Sequence, residues 1–307
     1  MQNLKVMTHE QFDVIIVGGS YSGLAAAMGL GRALRKVLVV DSGLPANRFT
    51  PESHNFLTHD GRQPSEITNI ARQQVDQYKS VKQISGLVVG AGQIDDGFQV
   101  RLHTGETYRS IKLLFASGIV DIVPEIPGFA ECWGKSVLHC PYCHGYEVRN
   151  ENTGIFGNGD YAFEFGALIS NWTSDLTIYT NGHSTLTGDQ TAKLLSHNIK
   201  IVEDEIGLLK HDSGFVERIV FKNGSTAQVR AIYTKPGFKQ HSDVPKSLGC
   251  EVTSDGYIMI DSGLRTSVPG VYACGDNVTR TRTVANAIAM GTTAAITINK
   301  DMILHSF

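Results

Sequence analysis

Two cysteines separated by two residues stand in the segment from His139 to Glu147, which reads HCPYCHGYE. Cys140 and Cys143, with His144 directly after them, fit three chemistries: a redox-active disulfide, half of a zinc site, or the attachment point of a covalently bound haem. Which of these applies decides what the protein does, and the choice depends on the surrounding sequence.

A zinc site or a haem site would need further features that the sequence does not supply. Structural zinc sites gather a second pair of ligands one loop away, and no such pair flanks the segment. Covalent haem attachment normally requires export, and the N-terminus has neither the apolar region nor the small-residue cleavage site of an export signal. We therefore predict no metal site. The remaining cysteines stand alone and are predicted to be small buried apolar side chains: Cys132, Cys250 and Cys274.

A redox-active pair remains as the chemistry that the spacing favours. Cys140 and Cys143 would share one turn of helix, so that a disulfide between them closes a small ring. Such CxxC pairs commonly contain a thiol whose lowered pKa supplies the reactive thiolate.

Length, composition and charge narrow the class of protein. The 307 residues, 41% of them hydrophobic and 19% charged, are typical of a soluble globular protein and suffice for two domains of about 150 residues. A net charge of −3 leaves no basic surface for nucleic acid. No run reaches the ~18 apolar residues of a membrane span, and five cysteines do not suggest a secreted disulfide framework. We expect a cytoplasmic protein that binds neither nucleic acid nor membrane.

The pair must be positioned by larger elements, and the first of these begins at Asp13: DVIIVGGSYSGLAAAMGLGRALRKVLVVDSG. A buried strand, a glycine turn, a helix and a second strand follow one another. Gly18 and Gly23 hold the first and last places of the GxGxxG dinucleotide fingerprint, with Ser20 in place of the middle glycine. Asp41 ends the second strand, where an acid binds ribose hydroxyls. The unit predicts a nucleotide site.

A second unit of the same kind starts at Thr153: TGIFGNGDYAFEFGALISNWTSDLTIYTNG. Its turn fits GxGxxA, and the start of its helix can hold a phosphate. The residues of this possible second nucleotide site are Gly157, Asn158, Gly159 and Asp160.

The end of the following strand lacks the residue that would read a ribose. NAD selection needs Asp or Glu there and NADP selection needs a nearby Arg, yet Thr180 and Asn181 occupy these positions. The sequence therefore leaves NAD(P)H binding open, with a working nicotinamide site and an unused one as the two alternatives.

Two further strands flank the second unit. LLFASG ends at Gly118, and near the C-terminus the strand GVYAC runs into Gly275 and Asp276, ahead of an alanine-rich helix. A carboxylate at the C-terminal edge of a strand fits a hydrogen bond to a polyol. The second unit is thus predicted to be inserted into the first.

These blocks resemble the low-molecular-weight thioredoxin reductases of the pyridine nucleotide disulfide oxidoreductase class. The resemblance rests on VIIVGGSYSGLAAA, LLFASG, HCPYCHG, GNGDYAFE and VPGVYACGD, and it covers nearly the whole chain. It implies an α/β fold of two Rossmann-like domains, the second inserted into the first. The FAD domain would be discontinuous, with residues 1–118 and 245–307, and the NAD(P)-binding-like domain, residues 119–244, would carry the CxxC pair.

The resemblance also implies an FAD site and a homodimer, because the family usually forms homodimers through the FAD domain. The loop NRFTPESHNFLTHDG would line the flavin ring. The implied FAD-binding residues are Gly18, Gly19, Ser20, Tyr21, Ser22, Gly23, Asp41, Ser42, Gly43, Arg48, His54, Asn55, Val88, Ala116, Ser117, Gly118, Gly275, Asp276, Val284 and Ala285.

The resemblance assigns the roles in the redox segment. Cys143 would face the flavin, and Cys140 would exchange with the substrate disulfide. The family's usual CxxCDG motif has an acid–base aspartate where this chain has His144. A histidine with an ordinary pKa of about 6.5 can take a thiol proton near neutral pH, and when protonated it can stabilise a thiolate.

The CHGYE variant and the missing strand-end arginines are also similar to two atypical branches. One contains dithiol oxidases of the gliotoxin oxidase type, which pass electrons through FAD to oxygen, and the other contains flavoproteins that do without NADPH, some of which use ferredoxin. The leading hypothesis is an FAD-dependent dithiol/disulfide oxidoreductase with weak or absent NADPH use, acting on a thioredoxin-like protein or a small dithiol or disulfide. The alternatives are an oxygen-dependent dithiol oxidase and a non-enzymatic flavin redox sensor.

Overall fold

A computed structural model describes residues 10–307 as a mixed α/β fold. Residues 1–9, which belong to the predicted FAD domain and to the segment searched for an export signal, lie outside the described part. The strands are β1 (Gln11–Val17), β2 (Val37–Asp41), β3 (Val81–Ser85), β4 (Val88–Ile94), β5 (Gly97–Leu102), β6 (Thr107–Phe115), β7 (Ile119–Ile122), β8 (Val137–Leu138), β9 (Thr153–Phe156), β10 (Leu176–Tyr179), β11 (Lys200–Val202), β12 (Ile206–Asp212), β13 (Phe215–Phe221), β14 (Thr226–Gln228), β15 (Ala231–Thr234), β16 (Gly237–Gln240) and β17 (Val271–Ala273).

Eight α-helices accompany these strands, together with a short 3-10 helix at Ala46–Phe49. No helix among residues 10–307 is long and apolar enough to cross a membrane. The helices are α1 (Tyr21–Arg32), α2 (Pro64–Val75), α3 (Phe129–Cys132), α4 (Pro141–His144), α5 (Gly159–Ile169), α6 (Gly188–Ser196), α7 (Val244–Ser247) and α8 (Val284–Ser306).

The first sheet draws its strands from both ends of the chain. Its order is β3-β2-β1-β6-β5-β4, and β17, from the C-terminal part, pairs in parallel with the end of β6. The central strand β1 is apolar and buried on both faces from Val14 to Val17, as expected of a parallel strand covered by other layers. Helices α1 and α8 cover one face, and they approach so closely that a Cβ on Gly291 would lie 2.1 Å from the carbonyl oxygen of Ser22.

The second sheet lies within the chain segment between β6 and β17. It is parallel throughout, in the order β11-β10-β9-β15-β8, and the antiparallel sheet β12-β13-β14 accompanies it. Strands β7 and β16 pair in antiparallel fashion where the chain leaves the first sheet and returns to it. The predicted α/β fold of two Rossmann-like units, the second inserted into the first, is confirmed, whereas the domain bounds at residues 118 and 245 stay a prediction.

Candidate active site

The first glycine turn joins β1 to α1, and its backbone needs glycine. Gly18 has a φ of +108°, and a Cβ there would lie 2.2 Å from the carbonyl oxygen of Ala116. A Cβ on Gly23 would lie 1.9 Å from the carbonyl oxygen of Gly18, so that glycine is required for the helix to pack against the strand. The two fingerprint glycines therefore allow β1, β6 and α1 to meet at one turn.

Asp41, at the end of β2, is held in place from two sides. Its Oδ1 accepts a hydrogen bond from the Gly19 N–H at 3.1 Å, and its Oδ2 accepts one from the Arg72 guanidinium at 2.5 Å. The carboxylate lies beside the turn, where the sequence predicts a ribose-binding acid.

Two adjoining cavities open on this turn, and most of the predicted FAD-binding residues line one or both. We call them the Asp41 cavity and the Cys143 cavity after one residue in each. Predicted residues on the Asp41 cavity are Gly18, Gly19, Ser20, Asp41, Ser42, Val88, Ala116 and Ser117. Predicted residues on the Cys143 cavity are Ser20, Tyr21, Ser22, His54, Ala116, Ser117, Gly118, Cys143, His144, Asp276 and Val284.

Some predicted residues do not line either cavity. Gly23 and Gly275 lie behind residues that line the cavities. A Cβ on Gly275 would lie 2.5 Å from the Ser22 hydroxyl oxygen, so Gly275 packs directly against Ser22. The Arg48 guanidinium lies over the ring of Phe49 and donates to the carbonyl oxygen of Pro45. The structure also leaves Gly43, Asn55, Ala285 and Cys140 outside the two linings.

The cysteine pair forms a disulfide across the short helix α4. The Cα atoms of Cys140 and Cys143 are 5.3 Å apart, and the Cys143 N–H donates to the Cys140 Sγ at 3.1 Å. Pro141 begins the helix, a position where a missing N–H has no cost. Cys143 lines the cavity and Cys140 does not, so the two sulfur atoms have different surroundings.

His144 follows Cys143 into the same cavity as a buried, neutral imidazole. Burial, together with repulsion from His54, lowers the pKa of His144 to about 4. Burial disfavours the imidazolium ion, so the predicted stabilisation of a thiolate by a protonated His144 stays a prediction. The neutral ring can accept a proton only as a weaker base than an exposed imidazole, because burial lowers its pKa.

His54 joins the loop before α2 to the redox segment. Its Nε2 lies 3.5 Å from a carboxylate oxygen of Glu52 and 3.6 Å from one of Glu147. Its Nδ1 lies 3.6 Å from Asp60. The predicted loop thus contributes His54 to the cavity.

Four residues outside the predicted site set also line the Cys143 cavity: Asp121, Trp133, His139 and Arg282. The Arg282 guanidinium makes two hydrogen bonds to Asp121, at 2.8 and 2.9 Å, and the Asp121 side chain is only 8% exposed. His139 stacks on Trp133 with ring centres 5.8 Å apart, and burial and the nearby Arg282 cation lower the pKa of His139 to about 4. Asp121 and Arg282 are 161 positions apart, so no local pattern could have paired them.

The donors and acceptors of the joined cavities fit FAD. Burial raises the pKa of Asp276 to about 6 although Arg282 opposes this, so a polyol hydroxyl could replace lost solvent contacts of the carboxyl group. Among residues 10–307, the buried Ser117 hydroxyl and the Arg282 Nε have no hydrogen-bond partner in the chain. Helix α8 begins at the same cavity, with Thr283 and Val284 in its wall. A buried polar group without a partner is costly, so a polar ligand is expected here.

The second glycine turn, between β9 and α5, is filled by the chain itself. The Asn158 Oδ1 accepts hydrogen bonds from the Gly159 N–H at 2.8 Å and from the N–H and hydroxyl of Thr185 at 2.8 and 3.0 Å. The expectation that the start of this helix could hold a phosphate therefore meets an obstacle, because an internal side chain takes its first donor.

The residues at the end of β10, where a ribose-binding side chain is expected, are also hydrogen-bonded within the chain. The Thr180 hydroxyl is buried and donates to the carbonyl oxygen of Gly182 at 2.6 Å. The Asn181 Oδ1 accepts from the Ile206 N–H at 2.7 Å. Asp160, on the first turn of α5, accepts from Gln190 at 2.8 Å.

The isolated cysteines are buried, as predicted, and burial raises their thiol pKa values. Within residues 10–307 no cluster of three or more His, Cys, Asp or Glu side chains is arranged to hold a metal ion.

Comparisons with known proteins agree with this geometry. The sequence profile described as pyridine nucleotide-disulphide oxidoreductase matches residues 12–291. The chain is similar to thioredoxin reductase tcpT of Claviceps purpurea, with 31% identity over 91% of this chain and 90% of the relative. It is similar to thioredoxin reductase aclD of Aspergillus oryzae, with 30% identity over 93% of this chain and 94% of the relative. The crystal structure of TrxB from Bacillus anthracis superposes with a TM-score of 0.92 and 31% identity, covering 96% of this chain and all of that one.

Proposed function

The chain belongs to the pyridine nucleotide-disulphide oxidoreductase family, which is enzymatic, and we propose that it is an FAD-dependent dithiol/disulfide oxidoreductase with weak or absent use of NADPH. Electrons would pass between the flavin, the Cys140–Cys143 pair and a disulfide or dithiol substrate. The observation that carries the proposal is that Cys143 and His144 line the cavity with Asp276 and the start of α8, while Cys140 lies outside the lining. Enzymatic relatives also disfavour a non-catalytic redox sensor.

The two joined cavities would hold FAD along their length. Asp41 would bind the ribose, the start of α1 would meet the pyrophosphate, and Asp276 would accept a hydrogen bond from the ribityl chain. FAD would supply a two-electron carrier at this site, and Cys143, which lines the cavity, would be the cysteine that exchanges electrons with it.

The side chains of the redox segment would carry out thiol–disulfide exchange. A substrate thiolate attacks the Cys140 Sγ, which breaks the bond to Cys143 and leaves a mixed disulfide and a Cys143 thiolate. A second substrate thiolate then attacks the substrate sulfur of the mixed disulfide, which forms the substrate disulfide and releases Cys140 as a thiolate. The neutral His144 accepts a thiol proton in this direction and returns it in the reverse direction.

Weak NADPH use is supported by the second turn. Its strand end has the buried Thr180 and the internally bonded Asn181 instead of an acid or an arginine. Neither side chain can supply the charge that distinguishes NAD from NADP. The electron donor would then be a dithiol or a protein such as ferredoxin.

Anaerobic stopped-flow reduction of the bound flavin tests the proposal. NADPH, NADH, reduced ferredoxin and dithiothreitol are compared side by side on the same protein. We expect rapid bleaching of the flavin absorbance by the dithiol and slow bleaching or none by NADPH. Rapid bleaching by micromolar NADPH would contradict weak use of NADPH. If no donor reduces the flavin and no disulfide is reduced, the proposed oxidoreductase activity would be contradicted.

The second candidate is a dithiol oxidase that uses oxygen as the acceptor. It is favoured by the neutral His144, which suits removal of protons from an incoming dithiol. One dithiol and one oxygen molecule would give one disulfide and one hydrogen peroxide. Oxygen uptake with a panel of dithiols tests the oxidase. If no dithiol in the panel causes oxygen uptake, the oxidase is contradicted and the reductase activity is favoured.

We propose a cytoplasmic homodimer that acts on a thioredoxin-like protein or a small disulfide. An apolar strip on α8 that shares a groove with Ala33 supports the dimer: Ile296 is 65% exposed and Leu304 is 64% exposed. Light scattering of the wild type and of Ile296→Glu tests this, and a monomeric wild-type mass would contradict the dimer.

A further inference from the structure

We propose that Asn158 is a specificity-determining residue that closes the second nucleotide turn: its side chain holds the 183–185 loop across the start of α5, where the pyrophosphate of a pyridine nucleotide would lie. The inference rests on the proposed function, since it gives a physical cause for weak NADPH use. It concerns binding at the second turn and not electron transfer at the first.

The Asn158 side-chain amide makes hydrogen bonds inside the protein through both its oxygen and its nitrogen. Its oxygen accepts from Gly159 and twice from Thr185, more bonds than the two lone pairs of a carbonyl oxygen. Its nitrogen donates to the carbonyl oxygen of His183 at 2.9 Å. The side chain therefore connects the helix start to both ends of the 183–185 loop.

Thr185 occupies the space that the fingerprint keeps open. Gly159 has a φ of +56°, and a Cβ there would lie 3.0 Å from the Thr185 hydroxyl oxygen. In a dinucleotide turn the glycine at this place lets the pyrophosphate approach the backbone. In this chain the Thr185 hydroxyl lies close to the Gly159 backbone, in the place of the pyrophosphate.

Two further contacts restrict access to the turn. The Tyr161 ring covers Gly157, because a Cβ on Gly157 would lie 2.5 Å from it. The Ser184 N–H donates to Glu203 at 3.1 Å, which ties the loop to the chain after β11. This carboxylate beside the loop would also repel a phosphate.

The test measures nucleotide binding without catalysis. ADP-ribose, which has the pyrophosphate but no nicotinamide, is titrated by calorimetry into the FAD-loaded protein, and NADPH is titrated anaerobically in parallel. Wild type is compared with the double variant Asn158→Gly, Thr185→Ala and with the control Ser184→Ala, which changes the loop without touching Asn158. Hydrogen exchange of residues 158–161 and 183–185 reports whether the loop has opened.

We expect no saturable binding of ADP-ribose to wild type or to Ser184→Ala at millimolar concentration. The double variant should exchange the loop amides at least tenfold faster and bind ADP-ribose at least tenfold more tightly, with protection restored by the ligand. Micromolar binding to wild type would overturn the inference, and so would a double variant that gains no affinity, whether or not its loop amides exchange faster. Dithiol reduction of the wild-type flavin is measured separately, so a failure of the proposed function would be seen there.

Discussion

The two strand–turn–helix units share one sequence pattern but differ in what occupies the turn. At the first turn, Gly18 and Ser20 border cavities, and the N-cap Ser20 makes no side-chain hydrogen bond to α1. At the second, the N-cap Asn158 bonds to both the helix start and the 183–185 loop. The first turn thus borders a cavity, whereas at the second turn the Asn158 side chain occupies the first N–H of the helix and holds a loop against it.

The difference teaches that a glycine fingerprint specifies a packing arrangement before it specifies a ligand. Glycine is needed at both turns, since a Cβ would meet backbone at Gly18 and the Thr185 side chain at Gly159. The ligand depends on the residues around the turn: Asp41 ends β2 with a carboxylate, and Thr180 follows β10 with a buried hydroxyl. A fold can therefore keep its Rossmann form after a site has closed.

The largest expected effect comes from Cys143→Ser, because Cys143 is the cysteine of the pair that lines the cavity where the flavin is proposed to bind. Flavin reduction by dithiothreitol, followed by anaerobic stopped-flow, should slow by ~10³-fold or more. Cys140→Ser is the matched control: it leaves a Cys143 thiol in the cavity, so the flavin-loaded variant should give a long-wavelength charge-transfer band that Cys143→Ser lacks. Identical spectra for the two variants would contradict the unequal placement of the sulfurs.

Asp121→Asn should destabilise the connection between the two units. Asp121 lies on β7, where the chain leaves the first sheet, and it pairs with Arg282 beside α8. Removing the Asp121 charge leaves the buried Arg282 with only the more distant Asp276 carboxylate, 3.8 Å from its Nε, and costs about 3–5 kcal/mol of unfolding free energy. Denaturant unfolding measures it.

A nearby exposed pair provides the control for that measurement. Asp255 and Arg280 are 48% and 68% exposed, so Asp255→Asn should leave the unfolding midpoint unchanged. Equal midpoints for Asp121→Asn and Asp255→Asn would show that the Arg282 contact does not stabilise the junction.

His144→Gln should slow dithiol-driven flavin reduction by ~10²-fold, the usual contribution of a general base. The pKa of His144 is about 4, so the wild-type ring is neutral at pH 7 and gains a proton as the pH falls through about 4. The wild-type rate should therefore fall on that acidic limb, and the variant should lack it. His183→Gln, on an imidazole whose side chain is 90% exposed, is the control and should keep the limb.

Sequence patterns predicted the local features well because local physics produces them. The apolar run from Val14 to Val17 is a buried strand, and the CxxC spacing places both cysteines on one short helix. The order of blocks also predicted that Cys143 and Asp276 belong to one site, which the structure joins in a single cavity.

The features that the sequence did not predict depend on distant contacts. Asn158 and Thr185 are 27 positions apart, and nothing in GNGDYAFE indicates that a later threonine returns to this turn. The lowered pKa of His144 is a consequence of burial, and burial cannot be inferred from the residues next to it in the sequence. The loop from residue 47 was predicted as a unit, but its His54 lines the cavity whereas Arg48 packs on Phe49.

The smallest expected effect, and the most direct comparison of the turns, comes from one alanine in each. Gly18→Ala forces a φ of +108° on alanine and places its Cβ 2.2 Å from a backbone oxygen, so strand and helix must separate at the flavin turn. If a strain of about 1–3 kcal/mol falls on the FAD-bound state, FAD affinity should drop by roughly 5-fold to 150-fold. Gly159→Ala meets only the Thr185 hydroxyl at 3.0 Å and lies outside both cavities, so the flavin content per chain should be unchanged. For each variant, the measurement is the amount of flavin released from the protein during gel filtration. Equal flavin loss from both would mean that the second turn supports the first, and the contrast between an open and a closed turn would then fail as an account of where the cofactor binds.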